Sequence, residues 1–112
     1  MRNNIKMENQ NITMVRGDSL SFNCIAFDEN GDAVTVDTAY FGCKKKATDG
    51  EYVFKKTLGN GISQDNELIT VRVAPEDTAE VDPGQYFYEF RVGVEDDVFT
   101  LMIGTLSIEH DV

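Results

Sequence analysis

Apolar and polar residues alternate along most of this chain, and turn-forming residues interrupt the alternation about every eight to twelve positions, which is the signature of short antiparallel strands. The spacing predicts a first strand over residues 11–15 (NITMV) and a second over 19–27 (SLSFNCIAF), with Leu20, Phe22, Cys24 and Ala26 on one face. A third covers 38–47, with Phe41 and Cys43 on its apolar face, and a fourth covers 52–58. After a break at GNGIS, residues 67–74 alternate cleanly with Ile69, Val71 and Val73 inward. Residues 85–94 form the most aromatic strand, with Tyr86, Tyr88, Phe90 and Val92 on one face, and 98–110 form the last. The segment 75–84 starts with a Pro, carries four acids and ends in Pro-Gly, so a short helical turn is expected there. No stretch keeps a helical period for about ten residues.

About seven strands in roughly 100 residues suit two packed antiparallel sheets. Asn30-Gly31 and Asp49-Gly50 read as hairpin turns, because such pairs tolerate φ > 0. The start, MRNNIKMENQ, is polar throughout. Residues 1–10 are therefore expected to be a flexible tail, and 11–112 a single β-sandwich domain. No signal peptide or membrane-spanning run is read in it.

Two motifs carry a resemblance. Asp77-Thr78-Ala79 followed by Gly84-Gln85-Tyr86 resembles the crossover into the sixth strand of immunoglobulin-like (Ig-like) sandwiches. There a Tyr near the start of that strand bonds back to the crossover backbone, the tyrosine corner, and Tyr86 would be that residue. The chain departs from antibody domains: it has no Trp, its two Cys fall on the predicted second and third strands, and Tyr88 stands where the sixth-strand Cys would be. More broadly, RGDSLSF (16–22), FDENGDAV (27–34), a Lys-bearing middle hairpin, APEDTAEVDPGQYFYEFRV (74–92) and LMIGTLSI (101–108) are similar to small Ig-like modules of tailed bacteriophages. Among such modules the chain resembles the N-terminal domain of phage baseplate upper proteins. The resemblance implies a non-catalytic structural or assembly role in a phage or prophage tail or baseplate. The partners it implies are other virion or tail proteins, or further copies of the chain, and the location is the bacterial cytoplasm during assembly and then the virion. The rival reading is an Ig-like accessory module that binds protein or carbohydrate on a bacterial surface.

Charge narrows the partners. At 112 residues and a net charge of -10, the chain lacks the basic face that nucleic acid or an anionic membrane requires. The residues suggest no catalytic site, metal, cofactor or small-molecule substrate. His110 is the single His. Ser19, Ser21 and Ser107 lack a nucleophile-elbow context. Asp28, Asn30 and Asp32 mimic the start of a calcium loop, but Ala33 and Ala39 stand where that loop needs Gly and Glu. Glu95, Asp96 and Asp97 read as a solvated turn. Arg16-Gly17-Asp18 spells an adhesion signal; with about three residues between two strands, a tight corner is the better reading. Cys24 and Cys43 are expected to be reduced, buried thiols. Lys44, Lys45, Lys46, Lys55 and Lys56 make one basic hairpin, read as edge protection or as contact with an acidic neighbour.

The alternation also suggests a partner surface. With Tyr86, Tyr88, Phe90 and Val92 inward, Phe87 points outward. If Met102, Leu106 and Ile108 face inward, then Leu101 and Ile103 join Phe87 and Tyr40 on an outer apolar face. A one-residue bulge at Gly104 would instead turn Leu101 and Ile103 into the core. The expectation is a contact face of Tyr40, Phe87, Leu101 and Ile103.

Overall fold

A computed structural model describes residues 8–9 and 11–112. The described residues are all-β apart from one helical turn. Its strands are β1 (Glu8–Asn9), β2 (Ile12–Val15), β3 (Leu20–Phe27), β4 (Ala33–Val34), β5 (Thr38–Lys44), β6 (Phe54–Leu58), β7 (Gly61–Asp65), β8 (Leu68–Val73), β9 (Gly84–Val94) and β10 (Asp97–Glu109), with α1 (Pro75–Thr78) before β9. Every strand anticipated from the alternation is present. β1, β4 and β7 are additional, and the helical turn falls inside 75–84 as expected. Of the segment read as a tail, Glu8–Asn9 form a strand, and the rest lies outside the described residues.

Hydrogen bonding follows one path, β1-β10-β9-β5-β6-β7-β8-β3-β4, with β2 also on β10. β1 and β2 run parallel to β10, and β6 runs parallel to β7; the other pairs are antiparallel. The two expected sheets are thus joined into one mixed, curled sheet, a half-barrel. The joint is the short parallel contact of Thr57 with Gly61 and Leu58 with Ile62. It rests on a turn in which Gly59 and Gly61 have φ of 90° and 98°, a backbone that other residues seldom adopt. The curl brings Phe22 of β3 across to Phe41 of β5 and Phe90 of β9, with ring centroids 5.6 and 6.0 Å apart in edge-on geometry.

The core lies inside that curl. Ile69, Val71 and Val73 of β8, Phe41 of β5, Phe90 of β9 and Leu106 of β10 are fully buried. Each such side chain contributes about 1.5–3 kcal/mol relative to exposure. Cys43 is buried, Cys24 is only partly so, and both are free thiols. Burial pushes the Cys24 thiol up to about 11 and the Cys43 thiol up to about 12, because a thiolate is poorly solvated there.

Turns follow the anticipated residues with altered geometry. The β3–β4 hairpin closes through Gly31 N–H to the Asp28 carbonyl, with Gly31 at φ 85° and no positive φ at Asn30. It is therefore a longer loop than the two-residue turn expected. Between β5 and β6 the turn is Lys46 to Asp49, closed by the Asp49 N–H, and Gly50 needs no positive φ. Val15 to Asp18 is a tight turn, with Asp18 N–H on the Val15 carbonyl and Gly17 at φ 84°. Arg16 does not project from it. Its guanidinium bonds Asp111 at 2.9 Å, which holds that carboxyl below its ordinary range, and reaches the Val81 carbonyl.

The crossover between β8 and β9 is pinned from several sides. The Tyr86 hydroxyl donates to the Asp82 carbonyl at 2.6 Å, the corner bond anticipated above. The hydroxyl oxygen of Thr78, a fully buried side chain, accepts from the Gly17 N–H at 2.9 Å. Asp77 accepts from the Ala74 N–H at 2.7 Å and pairs with the Lys56 ammonium at 3.0 Å. Lys56 is therefore an internal tether rather than part of a free basic edge. Tyr86→Phe keeps the ring and removes one hydrogen bond. It is expected to lower unfolding free energy by about 1 kcal/mol, read as a lower denaturant midpoint at unchanged slope.

Candidate interaction surface

The outward side chains of β10, β9, β5 and β6 form one face, and the register sets its rows. Ile103 lies beside Glu89, then Gly42, then Lys55; Thr105 lies beside Phe87, then Lys44; Arg91 lies beside Tyr40. Gly42 is what shapes the centre. A side chain there would run into the ring of Tyr52, so the missing Cβ lets that ring lie over the sheet. The result is an open groove of about 470 Å³ whose walls include Tyr52, Phe87 and Ile103, with Lys44, Glu89 and Thr105 around it.

The aromatic wall is held by charge. The Tyr40 and Tyr52 rings meet at 6.2 Å edge to face. The Lys55 ammonium sits 4.6 Å from the Tyr40 ring centre and 4.9 Å from that of Tyr52, and Lys44 sits 4.8 Å from Tyr52. Lys45 takes the same position over Tyr86 at 4.8 Å. Such contacts are worth about 0.5–1 kcal/mol at exposed sites. Glu89 accepts from the Tyr40 hydroxyl at 2.9 Å and from Tyr52 at 3.5 Å. Burial, together with the hydrogen bond to the Glu89 carboxylate, pushes the Tyr40 phenol above its ordinary value. The lysines thus act as ring clamps.

The four residues expected to share a contact face do not all do so. Phe87 and Ile103 are outward, 42% and 40% exposed, and flank the groove. Tyr40 is outward but half-buried beside Glu89, outside the groove walls. Leu101 is in the core at 7% exposure. The reason is a bulge: the β9 register shifts between Thr100 and Met102, so Leu101 has no partner opposite it and turns inward beside Met102. The irregularity lies at Leu101, not at Gly104, and Ile103 keeps its outward side. Sequence reasoning missed Tyr52, Glu89 and Gly42. Tyr52 stands first in the strand expected over 52–58, but β6 begins only at Phe54, so Tyr52 escapes the strand alternation, whereas Gly42 inside a strand was a readable sign of close approach.

The other candidate sites resolve into structural roles. One Asp28 carboxylate oxygen accepts the N–H groups of Asn30 and Asp32, which holds the hairpin loop. Glu95, at φ 56°, donates its N–H to Asp37 at 2.7 Å in the β9–β10 turn. Among the described residues no group of His, Cys, Asp and Glu is placed to hold a metal ion, and no helix is long and apolar enough to cross a membrane. No protein-family model matches the chain, and no curated protein matches it either.

Two outcomes check this description. Leu101→Ser is expected to cost about 3 kcal/mol or more, because it removes core volume and buries a hydroxyl, whereas Phe87→Ser is expected to cost about 1 kcal/mol or less. Denaturant unfolding of both variants measures the difference. The second outcome concerns alkali. Cys24, Cys43, Tyr40, Tyr86 and Tyr88 all hold their protons more tightly folded than unfolded. Stability from these groups is therefore complete below the ordinary thiol value of 9.0 and is lost as pH rises towards the folded values of about 11 to 12 for the thiols and higher for Tyr40. Residue-resolved ring signals of Tyr40, Tyr86 and Tyr88 should report ionisation together with unfolding, not before it.

Proposed function

We propose that the chain is a non-catalytic structural or assembly module of a phage or prophage tail or baseplate, built as an Ig-like β-sandwich and acting through protein–protein contact. The sandwich reading draws support from the Tyr86–Asp82 corner bond, from Phe22 facing Phe41 and Phe90 across the curl, and from the joint between the two halves being only two residue pairs long. The phage reading rests on the motif resemblance. The contact reading rests on one observation: Phe87 and Ile103 stand exposed and line a groove beside the Tyr52 ring, which packs over Gly42. Apolar side chains gathered at an exposed concavity are a mark of an interaction site. The partners are other tail proteins or further copies of the chain, met in the bacterial cytoplasm during assembly.

A second reading has one observation in its favour. The Tyr52 ring beside the Glu89 carboxylate pairs an apolar platform with a hydrogen-bond acceptor, which is chemistry suited to a sugar as well as to a peptide. On that reading the chain is an Ig-like accessory module of a bacterial surface.

The test combines location with contact. Particles induced from the producing cell should contain the chain on mass spectrometry, and Phe87→Ser with Ile103→Ser should remove it from them while leaving thermal unfolding nearly unchanged. Absence of the wild-type chain from particles, or unimpaired incorporation of the folded double variant, counts against the proposal. Saturable shifts of Tyr52 and Glu89 signals with oligosaccharides would favour the accessory reading instead.

A further inference from the structure

A different surface carries a second inference, independent of the groove. Along Leu20–Ile25, β3 pairs on one side only, with β8; its contact with β4 is confined to Ala26 and Phe27. Among the described residues no strand meets the other side of Leu20–Ile25, so about half of its N–H and C=O groups point outward from the sheet. Natural edge strands are usually guarded by Lys, Pro or a bulge. Leu20–Phe27 reads LSFNCIAF and contains none of these.

The side chains beside this edge are also incompletely covered. On the inner face Leu20, Phe22 and Cys24 are only partly buried, while their β8 neighbours Val73, Val71 and Ile69 are 0% exposed. The core is therefore sealed on the β8 side and open on the outer side of β3. On the outer face Ile25, Phe27 and Leu68 are each about 40% exposed, and Ile25 lies directly opposite Leu68. Another strand along Leu20–Ile25 would satisfy the outward backbone groups, cover Phe22 and Cys24, and extend the apolar row at Ile25 up to the start of β4.

Charge selects among occupants. β3 itself is uncharged, but beyond Ala26 and Phe27, which β4 pairs, it is followed by Asp28 and Glu29; Glu67 lies next to Leu68 at this end, and Glu95 lines one pocket with Phe27, Asp28 and Glu29. A second copy of the chain brings another net charge of -10. We propose that the edge of β3 along Leu20–Ile25 accepts an extended segment of a partner protein, running antiparallel, with alternate apolar residues for the inner face and a cationic N-terminal end that leaves the edge where β4 begins and reaches past it towards Asp28 and Glu29. Strand addition of this kind takes affinity from main-chain hydrogen bonds and specificity from alternate side chains.

The probe is the synthetic peptide Lys-Lys-Thr-Val-Thr-Val-Thr-Val, and the readout is residue-resolved amide hydrogen exchange. In the free protein alternate amides of Leu20–Ile25 should exchange quickly, and saturating peptide should slow them. The same peptide N-methylated at alternate residues should give no protection, and Glu-Glu in place of Lys-Lys should weaken binding, with the difference shrinking in high salt. Phe87→Ser should leave the readout unchanged, which separates this edge from the groove. Protection on another strand, equal binding of the Glu peptide, or no binding would overturn the proposal. So would outward amides already protected without peptide: at all concentrations this means a covered edge, and with rising protein concentration it means self-pairing.

Discussion

Phe22 against Phe41 and Phe90 is the contact on which the rest depends. β3 and β9 are far apart along the hydrogen-bonded path, and only two residue pairs join β6 to β7 where the sheet turns back. Ladder bonds alone do not hold such a sheet closed. The edge-on rings do, and Phe41 extends the cluster to Tyr88 at 5.3 Å and Phe54 at 6.2 Å. Once β3 lies over β5 and β9, the inward residues of β8, β9 and β10 share one dry interior.

With the curl closed, the crossover before β9 becomes a bridge over one end, and polar contacts fix it where apolar area is scarce. Tyr86, Thr78 and Asp77 reach the crossover's own backbone, the Gly17 turn and Lys56 respectively. Closure also determines what is left outside. On the β10-β9-β5 face, alternation places Phe87 outward, and the bulge at Leu101 returns the strand to alternation in time for Ile103 to point outward as well. The same bulge that fills the core sets one wall of the groove.

Much of this was readable from residue order. Where one face is apolar and the other polar, as in ELITVRVA or QYFYEFRVGV, period two settles both strand and orientation. Gly17 announced its corner, and Gly84-Gln85-Tyr86 announced the tethered tyrosine. The run Leu101-Met102-Ile103 was different: it is apolar at both parities, so alternation cannot say which residue is skipped, and only the register against β9 decides. β7 was hidden because Gly59 and Gly61 look like simple punctuation and its outward residues are polar. The Lys56–Asp77 pair and the lysines over Tyr40, Tyr52 and Tyr86 join segments remote in sequence, and nothing local in the chain signals them. Hence the all-β class was legible while the joining of the strands into one curled mixed sheet was not, and only half of the expected contact face, Phe87 and Ile103, ended at the groove.

The division of labour between Leu101 and Ile103 is the central claim, since it separates core from interaction surface. Methyl signals of the two residues in the presence of a soluble paramagnetic agent measure it directly. The account predicts strong attenuation of the Ile103 methyls and little for Leu101, at 40% and 7% exposure respectively. Equal attenuation of both, or protection of Ile103 in the dilute free protein, would contradict it.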